Sequence, residues 1–415
     1  MTRDRITEDA QDLFSRGHQA HNNGDFQEAV ECFSRAIRLR PEVSAGYRYR
    51  AYAWLELGER IRALNDLDQA IRLKPDEAQL YADRAAELFA QRSFDLAVAD
   101  CDLVLKKDPG RADVFGLRGR CHAGRGDTDS ALRDFAEAIN GDPDNAARYF
   151  MWRAQLNADC ENFVAAEADC SRAVLAGPEQ AEPLHMRAAI RQQTGDLDGA
   201  IEDFTDALRL DPKHGLAHLG RAICRFARND YTGAIEDCDT AVSLMPGMVK
   251  GYEIRGSALM RLGHLDAALS NYDEAVRLAP GSAMPLNFRA SLHYTRKDYA
   301  AAVRDHMEAL KRDPRNAGTF NQLGWLWSTC PDPDVRNGER AKECATRACE
   351  LTEWTEPGFL DTLAAACAEC GDFEDAVKWQ EKALDASSDS ARNAEYQDRL
   401  EGYRSRKAFR AAGGE

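Results

Sequence analysis

Four cysteines near the C-terminus have a spacing that could bind a metal ion or form a redox pair. Cys367 and Cys370 make a Cys-x-x-Cys motif, and Cys344 and Cys349 precede it. A metal site needs several thiolates that reach one ion in tetrahedral geometry. Both motif cysteines fall where a helical hairpin normally buries small core residues, so we interpret them as structural. We predict neither a metal site nor a bound cofactor.

Two histidines give a second, weaker signal for metal chemistry. His214 and His218 have the helical spacing of two ligands, but the sequence supplies no third ligand beside them. No glycine-rich phosphate loop, no Gly-x-Ser-x-Gly elbow and no His-Glu-x-x-His motif occurs. The sequence therefore predicts that the chain is not an enzyme, unless a catalytic group is assembled from distant parts of the chain.

Arginines recur at intervals of 34 or 35 residues: Arg16, Arg50, Arg84, Arg118, Arg153, Arg187, Arg221, Arg255 and Arg289. In most cases an aspartate follows sixteen residues later: Asp66, Asp100, Asp134, Asp169, Asp203, Asp237 and Asp305. Cys32 and Asn271 replace it in two places. A basic ladder for an acidic ligand is one interpretation. We favour Arg–Asp pairs between packed helices, within or between repeats, because charges near a packing seam need partners when they are desolvated.

Composition limits the classes of partner. The 415 residues include 44% hydrophobic and 30% charged residues, with a net charge of −16. An acidic chain repels phosphate backbones and anionic membranes, so nucleic acid is an unfavourable partner. No stretch has the length of a membrane-spanning helix and the N-terminus shows no signal sequence. We expect a cytoplasmic protein with reduced thiols and no membrane insertion.

The elements that position these residues follow from prolines spaced by 34 residues, with one interval of 35: Pro41, Pro75, Pro109, Pro143, Pro178, Pro212, Pro246, Pro280 and Pro314. Each proline follows the end of a predicted helix, because proline cannot continue it. Twelve residues before each stands an alanine: Ala29, Ala63, Ala97, Ala131, Ala166, Ala200, Ala234, Ala268 and Ala302. A second glycine or alanine stands twelve residues earlier still. These positions predict two helices per repeat that cross closely at small residues.

This pattern resembles the tetratricopeptide repeat (TPR) family, whose repeat has small and large residues at matching positions and a terminal proline. The resemblance implies an all-α fold, a right-handed superhelical α-solenoid of about eleven helix hairpins with a C-terminal capping helix. We assign nine regular repeats to 1–316, and two further repeats to 317–388 with an inserted loop at 330–338. A capping helix and short tail follow at 389–415. The C-terminal part resembles that of large bacterial multi-repeat TPR proteins.

In the TPR family the first helix of each repeat lines a concave surface, where ligands lie. Carrying the concave positions over places apolar and aromatic residues there: Met151, Trp152, Met186, Leu216, Leu219, Ile223, Phe226, Ile254, Met260, Met284, Phe288, Tyr294 and Trp325. Methionines and aromatics in a groove suit adaptable binding of an apolar peptide or helix. The alternative is that tight winding buries this face. The first four repeats instead place Arg48, Tyr52, Asp113 and Arg120 there.

The resemblance implies a protein–protein interaction scaffold that binds a peptide, helix or loop of a partner. A self-assembling structural protein that associates through its end repeats is the alternative. The family's clamp for chaperone tails needs Lys, Asn, Asn, Lys and Arg. In the first three repeats those positions are Phe14, His18, Tyr49, Gln79 and Asp83. None matches, so we predict that this clamp is absent from the first three repeats.

Overall fold

The structure is a computed structural model that describes residues 3–411, within which the chain is helical and contains no β-strand. It divides into two compact units, Met1–Asp196 and Leu197–Glu415. Helices of the first unit are α1 (Arg3–Asn22), α2 (Phe26–Leu39), α3 (Ser44–Glu56), α4 (Arg60–Leu73), α5 (Ala78–Ala90), α6 (Phe94–Lys107), α7 (Ala112–Gly124), α8 (Thr128–Gly141), α9 (Ala146–Asp159), α10 (Phe163–Ala176) and α11 (Ala181–Thr194). A 3-10 turn, Pro143–Asn145, precedes α9.

The second unit continues the same alternation. Its helices are α12 (Leu197–Leu210), α13 (Gly215–Ala227), α14 (Tyr231–Leu244), α15 (Val249–Arg261), α16 (Leu265–Leu278), α17 (Met284–Thr295), α18 (Tyr299–Arg312), α19 (Ala317–Thr329), α20 (Gly338–Leu351), α21 (Pro357–Glu369), α22 (Phe373–Ala386) and α23 (Ser390–Arg404). None of the helices in the described part of the chain combines the length and apolar character that a bilayer crossing requires.

Successive helices pack as antiparallel hairpins, such as α1 with α2, α7 with α8, and α13 with α14. The turn inside a hairpin needs one residue in the left-handed region, which glycine adopts without strain. Gly58 has φ of 77° there, whereas Arg92 takes the equivalent place with φ of 60°. The alanines twelve residues before each proline are all fully buried, as the predicted helix crossing requires.

Within a hairpin, residue size is matched across the crossing. Where the first helix has glycine, the residue sixteen positions later is aromatic, as in Gly17 with Phe33 and Gly119 with Phe135. A Cβ at Gly119 would lie 2.8 Å from Phe135 Cε1, which is too close. Where the first helix has alanine, the partner is often smaller, as in Ala51 with Leu67. This pairing keeps each core filled to the density of a protein interior.

The last helices form the largest core cluster, which joins α19, α20, α21, α22 and α23. The segment between α19 and α20 is the loop Cys330–Asn337, and its Asn337 backbone N–H donates to Trp327 O at 2.9 Å. The all-α repeat fold is confirmed. The repeat count and the division into 1–316, 317–388 and 389–415 stay predictions.

Candidate partner-binding surface

First helices of neighbouring hairpins contact each other inside each unit. In the second unit α13 contacts α15, α15 contacts α17, and α19 contacts α21. We call the surface formed by these first helices the inner face of that unit. In the first unit α5 contacts α7 and α7 contacts α9 in the same way. The inner face is where the family resemblance predicts that ligands lie.

Two predicted binding residues on the inner face of the second unit are well exposed. Leu216 at the start of α13 is 52% exposed, and Met284 at the start of α17 is 54% exposed. Leu219, Ile223 and Ile254 are half-buried. Exposed apolar side chains in a row of half-buried ones provide area that a partner could remove from water.

Other predicted residues are partly used by packing inside the unit. The ring of Phe226 packs edge-on against Tyr231 with centroids 5.4 Å apart. Phe288 stacks on Tyr272 at 5.9 Å, and Met260 joins the same cluster. Part of the surface of these three side chains is therefore covered by packing within the array, as the alternative interpretation expects.

Tyr294 and Trp325 line a cavity of about 390 Å³ among α17, α18 and α19. The other lining residues are Ser291, Thr295, Ala302, His306, Asn321, Gln322 and Leu326. Asn321 Oδ1 is buried and accepts no hydrogen bond from the described residues. The aromatic pair Tyr294 and Trp325 suits a segment that supplies an apolar group.

His306 forms the α18 side of this cavity and is buried. Its Nδ1 lies 2.9 Å from Asn287 Oδ1, and the Asn287 amide nitrogen donates to Thr319 Oγ1 at 2.8 Å. Burial lowers the pKa of His306 to about 4, while nearby Asp305 opposes that shift. The imidazole is therefore neutral at pH 7 and behaves as a core side chain.

The predicted residues of the first unit lie in packed surroundings. Trp152 contacts the rings of Phe135 and Tyr149, with centroids 6.4 and 5.5 Å away. The Arg120 guanidinium lies 4.7 Å from the Trp152 centroid and 4.3 Å from that of Phe89. Met186 packs on the cluster that contains Ala154 and Ile190, and Met151 is half-buried.

The polar inner face of the first hairpins is internally paired. Asp83 on α5 accepts hydrogen bonds from Arg48 Nε at 2.7 Å, Tyr52 Oη at 2.6 Å and Gln79 Nε2 at 2.8 Å. Burial, together with this hydrogen bond, raises the pKa of the Tyr52 phenol. Arg111 forms two hydrogen bonds with Asp113. These charged groups are therefore already paired with each other, and a ligand would have to compete with these hydrogen bonds.

The positions of the chaperone-tail clamp show a further cluster. The rings of Phe14, His18, Phe33 and Tyr49 pack together, with His18 and Tyr49 centroids 4.1 Å apart. The side chains at these positions are thus aromatic core, and Gln79 and Asp83 belong to the polar network.

The repeated arginines are structural links. Arg118 donates from Nε and Nη2 to the two oxygens of Asp134 at 2.8 Å, inside one hairpin. Its remaining nitrogen bonds Asp102 of the preceding hairpin. The hydrogen bond with Asp134 raises the pKa of Arg118. The pairing therefore runs both within and between repeats, which the sequence left open.

Six further arginines repeat the second contact through Nη1: Arg50 with Ser34, Arg84 with Asp68, Arg187 with Ser171, Arg221 with Thr205, Arg255 with Asp239, and Arg289 with Asp273. Asn271, which replaces the aspartate, still accepts from Arg255 Nε at 2.6 Å.

The cysteines and histidines have local roles in the structure. All twelve cysteines are in the thiol form, and ten are buried. Burial raises the pKa of Cys367 to about 12, whereas Cys370 is exposed at the end of α21. His214 Nδ1 accepts from the Ala217 backbone N–H, and His218 pairs with Asp237 at 3.2 Å. Among the described residues no cluster of His, Cys, Asp and Glu could hold a metal ion.

Sequence reasoning missed four residues of this region: Asn321, which lines the cavity with Trp325, and Glu369, Phe409 and Arg410. The Phe409 ring lies 5.7 Å from that of Trp325, and Arg410 Nη2 lies 2.6 Å from Glu369 Oε2. The one available signal was Phe-Arg beyond the last helix, an aromatic residue in an otherwise small and polar tail.

Comparison with known proteins supports this architecture. A family model described as tetratricopeptide repeat matches residues 185–248 and 255–317, and a second model of that description matches residues 10–43. These segments are tetratricopeptide repeats. Among curated proteins, none matches the sequence significantly.

Solved structures of similar architecture include yeast Tom70, with 16% identity, a TM-score of 0.44 and coverage of 95% of this chain and 96% of that chain. Cut9–Hcn1 of the APC/C has 17% identity, a TM-score of 0.46 and coverage of 95% and 91%. MamA from Desulfovibrio magneticus RS-1 has 17% identity, a TM-score of 0.40 and coverage of 41% and 97%. The repeat class supports a protein–protein interaction scaffold.

Proposed function

We propose that the chain is an adaptor that binds a peptide, helix or loop of a partner protein on the inner face of its second unit. The observation that carries the proposal is the apolar row on that face. Leu216 and Met284 are each more than half exposed, and Tyr294 and Trp325 line a cavity of about 390 Å³ among α17, α18 and α19 of the same unit. Methionine and aromatic side chains adapt to varied apolar partners.

The same residues indicate the chemistry of the ligand. A segment that places an apolar side chain against Tyr294 and Trp325 removes the apolar area of these two rings from water. The other predicted residues extend the row: Leu219, Ile223, Phe226, Ile254, Met260 and Phe288. In the first unit Met151, Trp152 and Met186 are a weaker candidate because Trp152 is already enclosed by rings and an arginine.

The test is affinity capture from a lysate of cells that natively express the chain, read by mass spectrometry. The variant is Leu216→Asp/Met284→Asp, whose side chains are exposed enough to tolerate a charge. The matched control is Leu210→Asp/Met307→Asp, which changes two residues, each 43% exposed, on α12 and α18. All chains are checked for folding by circular dichroism.

Proteins that are lost from the first variant and retained by the control would identify partners of the inner face. Identical protein sets on all three chains would contradict the proposal. Sedimentation at increasing concentration tests the alternative of a self-assembling structural protein, which predicts a mass that rises with concentration.

We place the adaptor in the cytoplasm, a reducing compartment in which cysteines persist as thiols.

A further inference from the structure

The chain reverses direction directly after its last helix. The backbone N–H of Arg406 donates to Tyr403 O at 2.9 Å, and that of Lys407 donates to Gly402 O at 2.9 Å. Arg406 has φ of 57°, the left-handed conformation that closes a helix end. This turn sends the segment Lys407–Ala411, which we call the tail, back over α19 and α21.

The tail completes the hydrogen bonding of α19. The last four carbonyl groups of a helix have no backbone N–H donor within that helix. Leu326 O and Trp327 O accept from the backbone N–H groups of Cys330 and Asn337, which belong to the following loop. Ser328 O accepts from Arg410 Nη1 at 3.4 Å, and Thr329 O accepts from the Ala411 N–H at 2.9 Å. Half of this helix end is therefore satisfied by the tail.

Side chains of the tail meet an apolar surface followed by an acidic one. Phe409 packs on Trp325 at 5.7 Å, and the guanidinium of Arg399 lies 5.1 Å from the Phe409 centroid. One residue later, Arg410 Nη2 lies 2.6 Å from Glu369 Oε2. The other oxygen of Glu369, Oε1, accepts a hydrogen bond from Arg336 Nε at 3.1 Å. The negative end of the α19 dipole and the remaining carboxylate oxygen, Oε2, favour a second cation at this point.

Trp325 connects the tail to the candidate surface. It touches Phe409 and also lines the cavity with Tyr294 and Asn321. A partner segment that lies along the inner face at α17 and α19 therefore meets the tail at its end. Because the tail is attached to α23 by a short turn, its effective concentration at this surface is on the order of millimolar.

We propose that the surface formed by Trp325, the C-terminal carbonyls of α19 and Glu369 binds extended protein segments in which an arginine follows an aromatic residue, and that the tail is its tethered competitor. This inference rests on the proposed function, since it names the ligand chemistry and the regulation of that same face. A partner displaces Phe409 and Arg410 to gain the whole surface.

The test uses a fluorescein-labelled peptide with the sequence of residues 404–411, Arg-Ser-Arg-Lys-Ala-Phe-Arg-Ala, and measures its anisotropy. The natural chain is compared with Phe409→Ala/Arg410→Ala, a full-length variant with a disarmed tail. We expect the variant to bind the peptide about tenfold more tightly, because a tethered competitor at millimolar effective concentration is removed. The probe control is a peptide with alanine at the positions of Phe409 and Arg410.

Adding Glu369→Gln to the variant removes the carboxylate that faces Arg410, and we expect peptide affinity to fall again. Equal affinity for the natural chain and the folded variant, or binding of the control peptide at the same strength, would overturn the proposal. Peptide binding without any lysate partner lost from Leu216→Asp/Met284→Asp would refute the adaptor function alone. Partner capture without peptide binding would refute the tail competitor alone.

Discussion

Regular hairpins and the last hairpin bury a carboxylate in different ways. In the regular hairpins Arg118 pairs with Asp134 sixteen residues away, across one turn. In the last hairpin Asp361 on α21 is paired with Arg399 on α23, a separation of 38 residues. Asp361 and Arg399 are 5% and 9% exposed, and burial raises the pKa of Asp361 although Arg399 opposes the shift. A regular hairpin pairs its buried carboxylate with an arginine of the same hairpin. The buried carboxylate of the last hairpin instead needs an arginine from α23, a helix that belongs to no hairpin.

The largest expected effect tests this dependence on α23. Arg399→Ala leaves Asp361 with Gln380 as its remaining hydrogen-bond donor, at 2.9 Å. Breaking a buried pair by removing one partner costs about 3–5 kcal/mol. Urea unfolding followed by circular dichroism measures the loss.

The matched control is Arg118→Ala, for which we expect about 2 kcal/mol, the range of a charged hydrogen bond. Asp134 there retains His122, whose Nε2 lies 3.8 Å away. The neutral double variant Asp361→Asn/Arg399→Met should recover most of the stability lost in Arg399→Ala. Equal losses for the two single variants would remove the distinction between local and distant pairing.

The second prediction concerns the ninth hairpin, whose core contains a titratable group. The folded-state pKa of His306 is about 4, below its ordinary value of 6.5. The unfolded chain therefore binds more protons between these values, and stability is lost as pH falls from 6.5 to 4, by about 3 kcal/mol in total. His306→Phe, which places at 306 the residue found at Phe204, should lack this component. Stability curves for both chains at pH 7, 6 and 5 give the difference; parallel curves would contradict the prediction.

The third prediction concerns the matching of residue sizes across the helix crossing of a regular hairpin. Gly119→Ala places a Cβ 2.8 Å from the Phe135 ring, and we expect a loss of about 1–3 kcal/mol from overpacking. The higher helix propensity of alanine offsets part of it. Gly119→Ala/Phe135→Leu reproduces the Ala51–Leu67 pairing of the second hairpin and should restore stability in thermal melts. Failure of the double variant to exceed the single one would refute size matching.

The smallest expected effect is Tyr52→Phe on the polar inner face. The change removes one donor to Asp83, which keeps Arg48 and Gln79. A single hydrogen bond contributes about 1 kcal/mol. Unfolding in urea should show a shift of that size. A much larger shift would mean that the network acts as a cooperative unit.

Much of the fold was predictable because repetition makes the evidence redundant. Nine prolines and nine alanines in one register indicate where helices end and where they cross. The Arg–Asp pairing was predicted for the same reason, since one interval of sixteen residues recurs. The second contact of each arginine, with a residue of the preceding hairpin, was not predicted from the sequence. Its partner varies among Asp, Ser and Thr, as in Arg84 with Asp68 and Arg289 with Asp273, which leaves a weaker pattern.

The candidate site was less predictable. Position in the repeat places Leu216 and Phe288 on one face, but their burial depends on particular neighbours, such as Tyr272 against Phe288. The tail contacts join Phe409 to Trp325 across 84 positions of sequence and have no repeated counterpart. A non-local contact that occurs once leaves no periodic signal, so sequence patterning alone does not reveal it.

The arginine links also have a consequence for how the array opens. Arg84 bonds Asp100 of its own hairpin and Asp68 of the one before, so fraying of either hairpin breaks a hydrogen bond that the other one shares. In a linear array, stability is a sum of repeat and neighbour terms. Such links raise the neighbour term, so adjacent hairpins should exchange their amide hydrogens with deuterium together, in blocks rather than one hairpin at a time.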